Sequence, residues 1–310
     1  MSSGIKVFAP ASISNLGCGF DSLGIALEKP GDNIIFRKTD SKGLKITKII
    51  GADRKLPTDI QQNTAGVAAM ALLKHVDMEN IGIDMEIHKN MPSGSGLGSS
   101  AASAAAAVLG INTILNLGLT KRELLPFAVQ GEMVASGSIH ADNIAPSLLG
   151  GMIFIRDNQS LDIYKLPYIP GIYLAMVHPN ITIMTKEARA ILSPTITLKQ
   201  HIQQAANLAA FVLATYTSDI DLLSKSIQDV VIEPQRAGLI PHFYEVKEAA
   251  LNQGALGCSI SGAGPSLFAL CSNSLIADEV AITMKKTFEN HNIQASSFVS
   301  PINHEGAIII

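Results

Sequence analysis

The residues of this chain best suited to chemistry lie in segment 92–101, with the sequence PSGSGLGSSA. Its glycines let the backbone approach a ligand, because no Cβ stands in the way. Ser99 and Ser100 then lead into an alanine-rich run, and alanine is the strongest helix former. A loop that leads into a helix N-terminus presents unpaired N–H groups and a positive dipole end to an anion. The segment therefore predicts a phosphate-binding loop, with a glycine-rich turn before a buried helix as the alternative.

This loop differs from two common nucleotide-binding motifs. A Walker A motif requires a Gly-Lys pair, which the chain does not contain. The G-x-G-x-x-G fingerprint fails at its last position, where Ala101 replaces the glycine. These departures disfavour a nicotinamide oxidoreductase that would use the loop for a dinucleotide.

Two further glycine clusters stand on either side of the loop in the sequence. In segment 9–27, APASISNLGCGFDSLGIAL, Asn15 and Asp21 flank two glycines. This pattern is typical of an Asx-rich turn, or of a substrate loop whose amide and carboxylate face a pocket. Segment 257–266, GCSISGAGPS, includes Gly262 and predicts either a tight bend or a second cradle of backbone amides.

Segment 136–151, SGSIHADNIAPSLLGG, contains polar side chains that could face a ligand. If it is helical, His140 and Asn143 share one face, and the neighbouring Asp142 points elsewhere. Glu132 lies on the predicted helix just before and could supply an oxygen ligand to a magnesium ion bound to phosphates. A structural histidine and a solvated glutamate are the alternatives.

Two arginines could recognise an anionic substrate. Arg189 lies in TKEARAIL and Arg236 in EPQRAGLIP. Because a guanidinium binds carboxylates through two parallel hydrogen bonds, either could hold a substrate carboxylate. Taken alone, each is most simply a surface charge.

Composition restricts the class of protein. The chain has 310 residues, of which 47% are hydrophobic, enough for two domains with substantial cores. Its net charge of −3 gives no electrostatic case for nucleic acid or for an anionic membrane. Three cysteines without a CxxC pair, and an N-terminus without an apolar leader, predict a cytoplasmic protein.

The pattern of elements predicts an α+β fold in two domains, because strands and helices do not alternate regularly. Asn63 predicts a helix N-terminus, and Thr120 with Glu123 and Thr197 with Gln200 predict two more. The polar segment 157–171 is the predicted domain boundary. We therefore expect domains over residues 1–165 and 166–310. Predicted strands cover residues 5–9, 33–38, 44–50, 83–87, 152–155, 173–177, 267–271, 297–301 and 307–310.

Taken in order, the three glycine clusters resemble the GHMP kinase superfamily. The superfamily's P-x-x-x-G-L-G-S-S-A pattern is matched at residues 92–101, and the late GAGPS resembles its third motif. Segment 9–27 is similar to the first motif of the homoserine kinase family. The resemblance implies an N-terminal nucleotide domain of mixed α+β structure and a C-terminal ferredoxin-like domain. It also implies transfer of the ATP γ-phosphate to the hydroxyl of L-homoserine, for threonine synthesis, by a homodimer.

The resemblance also implies a role for each candidate residue. ATP would contact Asn63, Pro92, Ser93, Gly94, Ser95, Gly96, Leu97, Gly98, Ser99 and Ser100. Ser100 and Glu132 would be the ligands on the Mg²⁺ side. Homoserine would contact Asn15, Asp21, His140, Asn143, Arg189, Arg236 and Gly262. The catalytic group would comprise Asn143, Ser100, Glu132 and Arg189.

The pairing of charges follows from the substrate that the resemblance implies. Asp21 would bind the ammonium group of the amino acid, and the arginines its carboxylate. Asn143 would orient the hydroxyl, since an asparagine cannot act as a general base. The alternatives are another GHMP kinase, acting on mevalonate or a sugar, and a non-catalytic ligand sensor of the same fold.

Overall fold

The computed structural model describes residues 4–136 and 140–310. Its strands are β1 (Ile5–Ser14), β2 (Leu23–Lys38), β3 (Leu44–Ile50), β4 (Ile83–His88), β5 (Met152–Asp157), β6 (Asp162–Leu166), β7 (Tyr173–Pro179), β8 (Gly257–Ile260), β9 (Leu267–Cys271), β10 (Ala295–Pro301) and β11 (Ile308–Ile309). Its α-helices are α1 (Thr64–His75), α2 (Ser99–Leu115), α3 (Lys121–Ser136), α4 (Ile144–Leu149), α5 (Thr185–Ala190), α6 (Leu198–Thr217), α7 (Ile220–Ser226), α8 (Glu233–Arg236), α9 (Phe243–Asn252) and α10 (Ser274–Asn290). These elements form two sheets with packed helices, which confirms the predicted α+β class.

The first sheet is built mainly by the N-terminal half of the chain. Its order is β11-β1-β2-β4-β3, and a hairpin of β5 and β6 is attached to β2. The pair of β3 and β4 is parallel, with α1 in the connection between them. The last strand, β11, returns from the end of the chain and pairs with β1, so that Val7 lies opposite Ile309. The division at residues 165 and 166 stays a prediction.

Helix α2 lies at the centre of this half and is buried on nearly all sides. It packs against β1 and β2 and against α1 and α3. Its alanines are small enough for these neighbours to approach closely, and a Cβ at Gly110 would lie 2.1 Å from the ring of Phe36. Such close packing fixes the position of the helix, and therefore of the loop before its N-terminus.

The second sheet is antiparallel, with the order β10-β7-β9-β8. Helices α9 and α10 pack on each other and against its strands, and a second core cluster lies between them. The chain passes through β7, a helical connection, β8, β9, α10 and β10 in turn. This order confirms the predicted ferredoxin-like arrangement.

The predicted helix starts are confirmed. Asn63 caps α1, since its Oδ1 accepts hydrogen bonds from the backbone N–H groups of Ala65 and Gly66. Thr120 and Glu123 bond reciprocally at the start of α3, and Thr197 and Gln200 form a capping box at α6. Among helices of the described ranges 4–136 and 140–310, none has the length and apolar character needed to cross a bilayer.

Several strands differ from the sequence-based predictions, and segment 257–266 also contains one that was not predicted, β8. Strand β1 does not end at Pro10 but continues to Ser14, because the register shifts between Pro10 and Ser12 and accommodates the proline. The first half of β2, which pairs with β5, was predicted as loop. The polar segment 157–171 contains β6, which forms a hairpin with β5.

Candidate active site

The three glycine clusters meet at one cleft, which encloses about 330 Å³. Its walls include sixteen of the candidate residues: Asn15, Asp21, Asn63, Ser93, Gly94, Ser95, Gly96, Gly98, Ser99, Ser100, Glu132, His140, Asn143, Arg189, Arg236 and Gly262. Pro92 and Leu97 do not line it. Leu97 is buried instead, and its carbonyl accepts a hydrogen bond of 3.1 Å from the backbone N–H of Ser12.

The loop before α2 has a left-handed backbone that requires glycine at two tightly packed positions. Gly96 has φ +79° and Gly98 has φ +68°. A Cβ at Gly98 would lie 2.2 Å from the Ser12 hydroxyl oxygen, and one at Gly96 would lie 2.3 Å from the Ser261 carbonyl oxygen. The loop therefore contacts β1 on one side and the third glycine cluster on the other.

Hydrogen bonds join this loop to the second half of the chain. The Ser261 hydroxyl donates to the Gly96 carbonyl at 2.6 Å, and the backbone N–H of Ser266 donates to the Ser95 carbonyl at 3.2 Å. The Asn15 amide donates to the Gly262 carbonyl at 2.9 Å. All three glycine clusters thus form one connected backbone surface.

The N-terminus of α2 opens directly onto the cleft. Gly98 is its N-cap and has no side chain with which to cap the helix. The N–H groups of the first helical turn lack acceptors within the helix, and the positive end of the helix dipole lies at the same place. This is the geometry that binds phosphate.

A buried ion pair beneath the loop was not predicted from the sequence. Lys89 Nζ bonds to Asp32 Oδ2 and also donates to the Ser99 carbonyl and the Ser103 hydroxyl, both at 2.8 Å. Asp32 in turn accepts hydrogen bonds from the Ser99 hydroxyl and the Asn90 backbone N–H. This network ties the end of β4 to the first turn of α2.

The alternating pattern of β4 could have identified Lys89 as a buried residue. Ile83, Met85 and Ile87 alternate onto the buried face of the strand, and Lys89 is the next residue in that series. A charged residue in a buried register position needs a partner of opposite charge. That partner, Asp32, is 57 residues away in the sequence.

Ser100 and Glu132 lie together at the end of the phosphate loop. The Ser100 hydroxyl donates to Glu132 Oε1 at 3.0 Å. The glutamate is partly exposed as a whole residue, but its Oε2 is enclosed. Burial, with a smaller contribution from the charge of Asp142, raises the pKa of Glu132 to about 7. A hydroxyl and a carboxylate oxygen are suitable ligands for a hard cation such as Mg²⁺.

Asn143 is held by two serines of β1. Its Oδ1 accepts from the Ser12 hydroxyl and its Nδ2 donates to the Ser14 hydroxyl, both at 2.9 Å. Because both ends of the amide are engaged, the side chain has one defined orientation at the cleft wall. Ser12 and Ser14 were not among the predicted site residues.

The helical reading of segment 140–143 is wrong, because α4 begins only at Ile144 and these residues form a turn before it. Consequently Asp142 does not point elsewhere but also lines the cleft. Burial, together with the negative charge of Asp21, raises the pKa of Asp142 to about 7. Helical periodicity was therefore the wrong basis for placing its carboxylate.

Asp21 and Arg189 form an ion pair within the cleft, with two contacts of 2.8 and 3.2 Å. His140 Nδ1 lies 3.5 Å from Asp21 Oδ2. Burial lowers the pKa of His140, opposed by the charge of Asp21. Neither ring nitrogen of His140 has a hydrogen-bond partner among the described residues. Both nitrogens are also enclosed by the protein.

Arg236 is the second cation of this region and is 3% exposed. It donates to the carbonyls of Ala188 and Gly262, both at 3.0 Å. Burial, together with the positive charge of Arg189, lowers its pKa to about 10. Both guanidinium carbons lie 5.1 Å from the ring centroid of Phe20, a residue that was not predicted. The aromatic ring offsets part of the repulsion between the two cations.

Asn63 also lines the cleft, and its side chain makes hydrogen bonds that stabilise the fold. Besides capping α1, its Nδ2 donates to the Pro57 carbonyl at 2.8 Å. The predicted contact between Asn63 and adenine stays a prediction.

The fold and the phosphate loop define a GHMP kinase. Residues 63–151 match the family described as GHMP kinases N terminal domain, and residues 208–290 match GHMP kinases C terminal. A mevalonate kinase of L. major, solved with R-mevalonate, shares the fold at a TM-score of 0.73 with 17% identity, covering 97% of this chain and 99% of that one.

Relatives of higher sequence identity indicate which GHMP kinase family the chain belongs to. A homoserine kinase of Chloroherpeton thalassium is 43% identical, covering 98% of both chains. The crystal structure of a homoserine kinase from Cytophaga hutchinsonii superimposes with a TM-score of 0.97 and 45% identity, covering 100% of this chain and 98% of that one. The chain belongs to the homoserine kinase family.

Proposed function

We propose that this protein transfers the γ-phosphoryl group of ATP to the side-chain hydroxyl of L-homoserine, forming O-phospho-L-homoserine and ADP. The observation that carries the proposal is the pairing of Asp21 with Arg189 beside a phosphate loop, with Arg236 close by. An amino acid needs one anionic and at least one cationic partner, and this cleft supplies both. Mevalonate and galactose lack an ammonium group and would leave Asp21 without a substrate partner.

When the substrate binds, the ion pair between Asp21 and Arg189 is replaced by ion pairs between these residues and the substrate. The ammonium group of homoserine binds Asp21, and its carboxylate binds Arg189 and Arg236. Each charged side chain therefore keeps a partner of opposite charge with or without substrate. The ammonium group replaces Arg189 beside Asp21, and the carboxylate replaces Asp21 beside Arg189. His140, whose ring nitrogens lack hydrogen-bond partners among the described residues, borders the same space.

The phosphates of ATP bind the backbone amides of residues 94–100 at the N-terminus of α2. Ser100 and Glu132 offer the oxygen donors that suit Mg²⁺, and they would hold the ion beside the phosphates. When bound, Mg²⁺ neutralises charge on the phosphate oxygens. The network of Lys89 and Asp32 keeps the first turn of α2 in place below the loop.

Asn143 positions the substrate hydroxyl for attack. Ser12 and Ser14 orient its amide. The amide also lies beside the N-cap of α2, since its Oδ1 would be 3.0 Å from a Cβ built on Gly98. The hydroxyl oxygen forms the new bond to the γ-phosphorus while the bond to the leaving ADP oxygen breaks, and the hydroxyl proton is released to solvent. Phosphoryl transfer depends mainly on positioning and charge stabilisation, so an amide can serve here. An Asn143→Ala enzyme with unchanged kcat would contradict this role.

The test is ADP release from Mg·ATP with L-homoserine, mevalonate, galactose or no acceptor. Turnover with L-homoserine alone supports both the kinase activity and the recognition of a zwitterion. Turnover with another acceptor would keep the phosphate loop and overturn the roles of Asp21 and the arginines. ATP binding without turnover would favour the non-catalytic sensor.

We also propose a cytoplasmic homodimer. Helix α6 supports the dimer, because Leu198, Ile202, Leu213 and Tyr216 are each more than half exposed on it. Its only formally charged residue is Lys199. Light scattering should give twice the chain mass of 32.7 kDa, and Ile202→Lys should shift the protein to a monomer. A monomeric wild-type chain would remove the dimer proposal, leaving the kinase proposal intact.

A further inference from the structure

A second group of chemically capable side chains lies outside the cleft, in the C-terminal half. His242 immediately precedes α9, Glu245 lies in the first turn of that helix, and His291 immediately follows α10. None of the three lines the cleft. Because α9 and α10 pack against each other, the start of one helix and the end of the other come together.

The two imidazoles converge on one carboxylate. His242 Nδ1 lies 2.8 Å from Glu245 Oε1, and His291 Nε2 lies 2.7 Å from Glu245 Oε2. The two rings are stacked, with centroids 3.6 Å apart and planes inclined by 9°. One potential ligand atom from each residue lies within 4.8 Å of the others. The three side chains thus lie close enough together to share one ion.

We propose that His242, Glu245 and His291 form a surface site for a transition-metal ion of the Zn²⁺ type. Two imidazole nitrogens and one carboxylate oxygen are a ligand set that suits Zn²⁺, Ni²⁺ or Co²⁺ rather than Mg²⁺, which prefers oxygen.

Binding requires only small local movements. The carboxylate moves outward, and the two rings rotate from their stack until their in-plane lone pairs meet at the ion. The histidine side chains are each 33% exposed and the Glu245 side chain 56%, so solvent-facing space is available for this rotation. Water completes the coordination sphere.

The site would connect parts of the chain that are distant in sequence. His291 is 46 residues from Glu245, and the ion would hold the end of α10 to the start of α9. Occupancy should therefore stabilise the folded state as the concentration of free metal rises.

Zinc titration of the untagged full-length protein tests the proposal. Calorimetry in excess Mg²⁺, which occupies sites made of oxygen ligands, should detect one Zn²⁺ per chain. His242→Gln and His291→Gln should each weaken this binding by at least about tenfold. His75→Gln, which changes an exposed histidine at the end of α1, is the matched control and should bind Zn²⁺ like the wild type.

Two other measurements test metal binding without relying on kinase activity. Co²⁺ should give visible absorption with the wild type that the double variant His242→Gln/His291→Gln lacks. Zn²⁺ should raise the Tm of the wild type but not that of the double variant, and both proteins should unfold alike without metal. An absence of Zn²⁺ binding, or binding retained in the double variant, would overturn the proposal.

Discussion

Arg189 and Asp21 bond to each other through both nitrogens of the guanidinium fork and both oxygens of the carboxylate, at 2.8 and 3.2 Å. They are 168 residues apart in the sequence. Asp21 lies between β1 and β2, whereas Arg189 lies on α5, in the second half of the chain. The two charges that an amino-acid substrate requires therefore compensate each other across the cleft before the substrate arrives.

Asp21→Asn removes the anion proposed to bind the substrate ammonium. Because a hydrogen bond to a charged group contributes about 1.5–3 kcal/mol, we expect kcat/KM for L-homoserine to fall by about 10- to 100-fold. The KM for ATP should stay unchanged. Steady-state kinetics with each substrate varied separately measures both, and Asp40→Asn, at an exposed turn, is the control. Equal losses for both substrates would contradict the assignment.

Phe20→Leu tests whether the aromatic ring organises the two arginines. Cation–π contacts at partly exposed sites contribute about 0.5–1 kcal/mol each, so loss of both should raise KM for L-homoserine by about 5- to 30-fold. Phe20→Tyr retains the ring and should restore most of the affinity. If Phe20→Leu binds homoserine as the wild type does, the ring has no such role.

Burial of Asp142 makes stability depend on pH. Its pKa is raised from 3.8 to about 7, so between these values the folded state binds more protons than the unfolded state. Stability from this group is therefore present at low pH and is lost as the pH rises towards 7. Asp142→Asn should stabilise the metal-free protein by about 1–3 kcal/mol at pH 8 and by much less at pH 5. Urea unfolding at the two pH values measures this difference, and an equal effect at both would contradict it.

Lys89→Met should destabilise the protein strongly, because it leaves the carboxylate of Asp32 buried without its cation. Breaking one partner of a buried pair costs about 3–5 kcal/mol. The double variant Lys89→Met/Asp32→Asn should recover part of this loss, since it removes the buried charge as well. Lys48→Met, at an exposed position, is the control in urea unfolding. A single variant as stable as the control would show that the pair contributes little.

Local sequence patterns were sufficient for part of this structure. The glycines of the phosphate loop and the capping residues Asn63 and Thr197 act through the backbone next to them, so a short segment contains the whole signal. The resemblance to GHMP kinases then supplied the pairing of Ser100 with Glu132, which no local pattern indicates.

Other features depended on packing that a local pattern does not encode. The partner of Lys89 lies on another strand, and the contact of Phe20 with two arginines joins both halves of the chain. Asp142 was misplaced because a helical period was applied to a turn. In each case the tertiary structure, rather than the neighbouring sequence, determines where the side chain lies.

The hydrogen bonds from Ser261 and Ser266 to the phosphate loop connect ATP binding to the assembly of the two halves of the chain. The loop belongs to the first half of the chain, yet its Ser95 and Gly96 carbonyls accept hydrogen bonds from the second half. We therefore expect native nucleotide affinity to arise only when the two halves dock. Fragments separated between β6 and β7, within residues 167–172, should regain ATP binding when mixed, and neither should bind ATP with native affinity alone.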